Sequence, residues 1–255
     1  MQFSRSIKIK KTVPLSARRD RIVHSCMECI DTRHKRIMVG LSGGADSCAL
    51  LGALCVLRDR GDVDHISAVH VCHNIRIDCE KDVSLSMAVA DELGCDFSRV
   101  DIFPLGQSGN IYDICRNLRY EKMTEAAIGA NCSAVAVAHH LNDQLETMIF
   151  RLARGSTVEA LAGMRIERVL DRGVNLIRPL LRSTRIDCER MCRKMKIEWI
   201  NDPSNENTDR TRAFIRHEIV PLFRKLNPRI EMSVDRVIDN LQNVLRGIPH
   251  GSAKK

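Results

Sequence analysis

Ile37-Met38-Val39-Gly40-Leu41 is an unbroken apolar run; Ser42-Gly43-Gly44-Ala45-Asp46-Ser47 follows at once, then a stretch with Leu50, Leu51, Leu54 and Leu57 on one helical side. The run reads as a short buried strand, the leucine-rich stretch as a helix, and the Ser-Gly-Gly segment as the turn between them. Two glycines let backbone come close to a ligand, and a helix start offers N–H groups that no carbonyl of the same helix can satisfy. Ser42 and Ser47 add hydroxyls. Ser42, Gly43, Gly44, Ala45, Asp46 and Ser47 are therefore candidate contacts to nucleotide phosphates. The loop lacks the Gly-Lys-Ser/Thr ending that brings a lysine to a terminal phosphate, which disfavours a γ-phosphate hydrolase. Asp46 would repel bare phosphates but suits a Mg²⁺ that bridges them. Isolated glycines would be read as a plain turn with a Ser/Asp helix cap; the strand–loop–helix context favours nucleotide binding.

The same alternation continues on both sides. A helix is expected over 16–30, strands over 65–71, 97–103 and 134–138, and helices over 45–57, 80–93, 112–128 and 142–154. Gly94, Gly129 and Gly155 stand where helices should stop. Apolar strands alternating with amphipathic helices imply an α/β fold, a parallel Rossmann-like sheet covered by helices on both faces. Ligands of such sheets bind at the carboxyl ends of the strands. Past residue 155 the alternation fades, and helices are expected over 183–195 and 227–245, with a turn at Asp202-Pro203-Ser204-Asn205. The expected organisation is a basic lead-in over 1–36, a nucleotide-binding domain over 37–182 and a helical extension over 183–250, before a polar tail.

Length bounds this reading, because 255 residues make one or two domains at about 150 residues each. With 44% hydrophobic and 28% charged residues, the chain can bury a core. No run approaches the ~18 apolar residues of a membrane helix, so no membrane role is expected. The net charge of +8 is unevenly placed. Residues 1–36 carry 10 basic and 3 acidic side chains, 37–150 carry 8 and 16, and 151–255 carry 22 and 13. Basic flanks suit a phosphate-rich partner, although a solvated basic face reads equally well. Eleven scattered cysteines do not make a disulfide scaffold, and without a signal-peptide core reduced thiols and a cytoplasmic location are expected. The first nineteen residues hold six basic and no acidic side chains, a composition organellar import segments share, but they lack the usual Ser and Arg richness.

Polar clusters sit at the strand ends. His70 and His73 flank the tip of the second strand, with Arg76 nearby; each histidine taken alone is a packed or capping residue, and no tetrahedral ligand set accompanies them. Arg116 and Arg119 occupy neighbouring faces of the third helix around Tyr120. His140, Asp143 and Glu146 follow the fourth strand, and the two acids, three apart, share a helical face. Two carboxylates there suit a cationic small substrate or an amine that must lose a proton. They equally suit the positive end of a helix, the plainer reading of spacing alone. Arg151 and Arg154 give a cationic edge one turn further on. Cys26 and Cys29, the one C-x-x-C pair, read as structural.

The Ser42–Ser47 loop resembles the PP-loop of ATP pyrophosphatases, which adenylate a carbonyl or amide oxygen and release pyrophosphate. The ordered series SGGADS (42–47), HVCHNIR (70–76), RNLRY (116–120), HHLNDQLETMIFRLARGS (139–156), LAGM (161–164), IRPLL (177–181), DPSN (202–205) and TRAFIRHEIVPLF (211–223) resembles tRNA(Ile)-lysidine synthetases over about residues 35–245. The resemblance implies ligation of free L-lysine to C2 of the wobble cytidine of a tRNA(Ile) with a CAU anticodon, by way of an adenylated C2 oxygen. It implies ATP and Mg²⁺ as cofactors, with Asp46 on the metal and His70 and His73 beside the nucleotide. Asp143 and Glu146 would position lysine, with either of them or His140 accepting its proton. Arg116 would be catalytic, and Arg76, Arg119, Arg151, Arg154, Arg212 and Arg216 would meet phosphates or tRNA. A homodimer is what the family suggests. Two positions depart from the family pattern: Asn142 stands where a first Asp is common, and Ala213 where Asn is common. Longer members continue into further C-terminal domains, so the chain reads as a short form or a shortened piece. The competing expectations are a PP-loop tRNA thiolase, disfavoured by Ala45 in place of Lys and by the single C-x-x-C pair, and a non-catalytic tRNA-binding relic.

Overall fold

A computed structural model of the chain describes residues 14–30, 33–74, 79–104, 110–200 and 211–247. The basic lead-in before residue 14, Arg76, the Asp202–Asn205 turn and the polar tail lie outside the described residues. The helix expected over 16–30 is two pieces, α1 (Leu15–Arg18) and α2 (Arg21–Cys29). Asp20 divides them: its side chain accepts from the Ile22 N–H at 3.1 Å and starts a new helix, and its other oxygen takes Lys194 Nζ at 2.6 Å. Next come β1 (Arg36–Gly40), α3 (Ala45–Arg60), β2 (His65–Cys72), α4 (Cys79–Glu92), β3 (Asp96–Asp101), α5 (Ile111–Gly129), β4 (Ala134–Ala136) and α6 (Leu141–Ala153). The chain then forms α7 (Val158–Leu161), β5 (Glu167–Asp171), β6 (Val174–Ile177), α8 (Arg185–Met195), α9 (Thr211–Phe214), a wide turn over Ile215–Ile219, α10 (Val220–Leu226) and α11 (Ile230–Gly247).

The sheet has the order β3-β2-β1-β4-β6-β5, and every neighbouring pair is parallel except β5 with β6. The expected α/β class with a parallel, helix-covered sheet is therefore what forms. Chain order runs outward from β1 through β2 to β3, then returns to place β4 on the other side of β1. That reversal opens a crevice at the carboxyl ends of β1 and β4, where the Ser42–Ser47 loop emerges. β5 and β6, which extend the sheet past β4, were not anticipated.

The described residues divide into two compact units, one within Met1–Ala138 and Ile166–Asn201, the other within His139–Arg165 and Asp202–Lys255. In the first, α3 is buried on all sides from Ala45 to Leu57 except at Asp46, because it lies between the sheet and helices α2 and α8. α5 covers the opposite face, where Met123 fills the space beside Gly40; a Cβ there would fall 2.4 Å from Met123 Cε. In the second unit, Leu145 and Met148 of α6 pack with Ile215, Val220, Val234 and Ile238.

The expectation of wholly reduced cysteines is corrected at one pair. Cys72, ending β2, is disulfide-bonded to Cys79, opening α4, with Cα atoms 6.2 Å apart; the short connection brings strand end and helix start within bonding reach. The other nine cysteines are free. Cys26 and Cys29 are buried to half-buried, and burial pushes the Cys29 thiol up to about 12, which suits the structural reading of that pair. No helix among the described residues is long and apolar enough to cross a membrane.

Candidate functional site

The loop after β1 is held in shape from within. Ser47 Oγ accepts the Ser42 N–H at 3.1 Å, lies 3.1 Å from Ser42 Oγ and donates to the Gly44 carbonyl at 3.0 Å. Gly43 has φ +83°, open to glycine without strain, and a Cβ there would meet Ser86 Oγ at 3.4 Å and the Asp82 carbonyl at 3.5 Å. Gly44 is extended and serves as the N-cap of α3 without any side-chain cap. Ser42 is exposed while Ser47 is buried, so the loop presents backbone and one hydroxyl outward over a fixed base.

Residues distant in sequence support it from below. Ile200 N–H donates to the Gly43 carbonyl at 2.9 Å, and Cys192 Sγ lies 3.3 Å from the Ala45 carbonyl. The half-buried Asp46 carboxylate stands beside the Cys188 thiol, which burial first, and then this negative neighbour, push well above its ordinary range. Among the described residues no group of three or more His, Cys, Asp or Glu is arranged to hold a metal ion. Mg²⁺ ordinarily takes one or two carboxylates together with substrate phosphates and waters, so a lone Asp46 at a phosphate loop fits an ion that arrives with a nucleotide.

His70 is buried, with Nδ1 3.0 Å from Ser86 Oγ, and Ser86 in turn lies 3.5 Å from the Leu41 carbonyl. Burial holds its imidazole pKa below the ordinary value, and the ring links β2 to α4 beside the loop. His73 is half-buried just past β2. Arg116 and Arg119 lie on α5 against the Tyr120 ring.

In the second unit, His140 is the N-cap of α6. Its Nδ1 accepts the Asp143 N–H at 3.3 Å, and Asp143 Oδ2 accepts the His140 N–H at 2.9 Å, a reciprocal capping box. Asp143 and Glu146 share a face as the spacing predicted, and the structure adds Arg216 to them. Arg216 Nε and Nη2 donate to the two oxygens of the buried Glu146 at 2.7 and 2.9 Å, and Nη2 stands 3.7 Å from Asp143 Oδ1. Among the described residues, Asp143 Oδ1 takes part in this longer ion pair. Asn142 donates to Glu231 Oε1 at 3.1 Å, a bond that an ionised Asp at that position could not make. Arg151 donates to the Ala160 and Gly163 carbonyls, and Arg154 lies over the Phe150 ring at 4.5 Å. Arg212 is exposed on α9. The LAGM segment has its own reason: Gln144 grips Met164 through Oε1 and Nε2 at 2.8 and 3.2 Å, beside Gly163 at φ +76°.

A strand–loop–helix phosphate cradle at a topological switch point defines a nucleotide-binding protein of the PP-loop class. Residues 15–223 match the PP-loop domain family, and the chain belongs to that family. It is 37% identical over 211 residues to the tRNA(Ile)-lysidine synthase of Thermosipho africanus, covering 81% of this chain and 48% of that protein. With the tRNA(Ile)-lysidine synthase of Geobacillus kaustophilus it is 38% identical over 199 residues, 76% of this chain and 42% of the relative. The chain spans about half the length of the curated relatives it matches. Its fold is shared with the U34-tRNA thiolase NcsA of Methanococcus maripaludis, at TM-score 0.70 and 16% identity over 92% of this chain and 84% of that one.

Proposed function

We propose that the chain carries out ATP-dependent ligation of lysine to the wobble cytidine of a tRNA(Ile) with a CAU anticodon. The observation that carries this reading is the pairing, in one PP-loop chain, of a preorganised phosphate loop with the α6 carboxylates Asp143 and Glu146. The C2 carbonyl of cytosine is a poor electrophile. Attack of its oxygen on the α-phosphorus of ATP, with pyrophosphate leaving, turns it into a good leaving group. The lysine Nε then bonds to C2 and the C2–O bond breaks, releasing AMP.

The residues divide this work by their chemistry. Ser42–Ser47 bind the phosphates, and Asp46 would hold a Mg²⁺ ion, which would neutralise phosphate charge. Asp143 Oδ1 receives the lysine ammonium, while Arg216 fixes the neighbouring Glu146 in one orientation. Asp143 or His140 takes the proton the amine loses. The basic segments, with Arg119, Arg154 and Arg212, draw the RNA by charge. A thiolase reading is less well supported, because in the one C-x-x-C pair Cys26 is buried and burial pushes the half-buried Cys29 thiol up to about 12.

The adenylation step has its own test. With tRNA(Ile) transcript present and lysine withheld, labelled pyrophosphate should exchange into ATP, and omission of the RNA should stop it. Exchange that proceeds equally without RNA would contradict adenylation of the nucleic acid.

A further inference from the structure

Four guanidinium groups converge on one side chain of the first unit. Tyr120 is 8% exposed, and the Arg168, Arg119 and Arg116 guanidinium carbons stand 4.9, 5.7 and 5.9 Å from its ring centroid. Arg178, itself 4% exposed, is the fourth, and its charge helps to lower the Tyr120 phenol pKa. Among the described residues no carboxylate lies within ion-pair distance of Arg116, Arg119 or Arg168. Like charges this close repel. Contact with an aromatic face offsets only part of this. An anion with several oxygens would offset the remainder.

The place in the fold supports the same reading. Arg178 directly follows the carboxyl end of β6, which runs parallel to β4, as β4 does to β1. Arg168 pairs in register with Leu176, one residue before that end. Arg116 and Arg119 lie in the first half of α5. The cluster therefore lies toward the same end of the sheet as the Ser42–Ser47 loop. Arg116 and Arg168 are exposed, whereas Arg178 and Tyr120 are buried beneath them.

We propose that Arg116, Arg119, Arg168 and Arg178, gathered round Tyr120, form a phosphate cage that holds a backbone phosphodiester of the RNA substrate. This deepens the proposed function and rests on it for the identity of the RNA. Arg168, on the unanticipated strand β5, is its new member, since guanidinium forks match two phosphate oxygens at once. Any backbone phosphate satisfies such a cage, so sequence enters only elsewhere in the interface.

The test uses the full chain, a fluorescent RNA stem-loop with the CAU anticodon, a second stem-loop of unrelated sequence, and Mg²⁺-ATP. Arg168→Gln should weaken both RNAs about tenfold, lower the salt dependence by about one released counterion, and leave ATP affinity unchanged. Arg168→Lys should restore part of the affinity. Arg172→Gln removes an exposed charge already paired with Asp171 and should shift RNA binding less than twofold. Arg119→Gln should reproduce the effect of Arg168→Gln independently of β5. Weakened ATP binding with unchanged RNA binding would reassign the cage to the nucleotide. Equal RNA binding by wild type and both Gln variants would overturn the cage and leave the lysidine reading standing. Failure of wild-type protein to bind either RNA would overturn both.

Discussion

Replacing Asp143 by Asn and, separately, by Ala separates the charge of this carboxylate from its part in starting α6. Oδ2 caps the His140 N–H at 2.9 Å, and an Asn side chain can still accept there; Ala cannot. Loss of an N-terminal cap costs about 1 kcal/mol, and loss of a negative charge at a helix start about 0.3–1 kcal/mol. Asp143→Ala is therefore expected to lose about 1–2 kcal/mol of stability and Asp143→Asn about 0.5 kcal/mol, read as a Tm change of about 2–4 °C per kcal/mol. The charge itself would make a charge-assisted bond to the lysine ammonium worth about 1.5–3 kcal/mol. Both variants should thus raise the lysine KM by the same factor, roughly 10- to 150-fold, with ATP affinity unchanged. Steady-state kinetics in lysine, equilibrium ATP binding and thermal unfolding read the three effects apart. If Asp143→Asn kept wild-type lysine KM while Asp143→Ala lost it, Asp143 would be a capping residue only and the assignment would fail.

Three further outcomes follow from particular contacts. Gly163→Ala puts a Cβ 2.9 Å from both Gln144 Oε1 and Ile238 Cδ1 at a positive φ, and about 2–4 kcal/mol of stability should be lost in urea unfolding; a change under 1 kcal/mol would contradict the packing. Ser47→Ala removes the hydroxyl that ties Ser42 to Gly44, and ATP affinity should fall about tenfold by calorimetry with the fold intact, whereas unchanged affinity would remove the loop from phosphate binding. Burial alone would raise the Tyr120 phenol, but Arg119, Arg178, Arg116 and Arg168 outweigh it and hold the pKa below 10. A depressed pKa adds stability only above the ordinary phenol pKa and loses it as pH falls through the lowered one, so it contributes nothing at neutral pH. Absorbance titration should show one of the two tyrosines ionising early, and Tyr120→Phe should abolish that early phase.

The central sheet was legible because β1, β2 and β4 are buried apolar runs, each followed by a helix or a polar turn. β5 and β6 escaped notice for opposite reasons. β5 is an edge strand with mostly exposed side chains, and β6 is four residues long with Asn175 inside it. The break at Asp20 was a capping signal that apolar spacing alone overrides. Local motifs singled out the Ser42–Ser47 loop, His70, His73, His140 and the Asp143/Glu146 pair as candidates, since each lies within a few residues of a strand end. What spacing could not give was partners far along the chain. Arg216 meets Glu146 across 70 positions, Asn142 meets Glu231 across 89, and Cys192 reaches the Ala45 carbonyl across 147. Arg216 is expected on the RNA from the resemblance, and the structure adds hydrogen bonds from its guanidinium to Glu146. Arg168 carries no local pattern at all; only strand pairing brings it to Tyr120.

The most direct test of the account is incorporation of labelled lysine into RNA. Purified protein with Mg²⁺-ATP, labelled lysine and unmodified tRNA(Ile) transcript bearing the CAU anticodon should yield acid-precipitable label that requires ATP and disappears when the wobble C is replaced by U. ATP binding and RNA binding without any lysine incorporation would contradict lysidine synthesis by this chain.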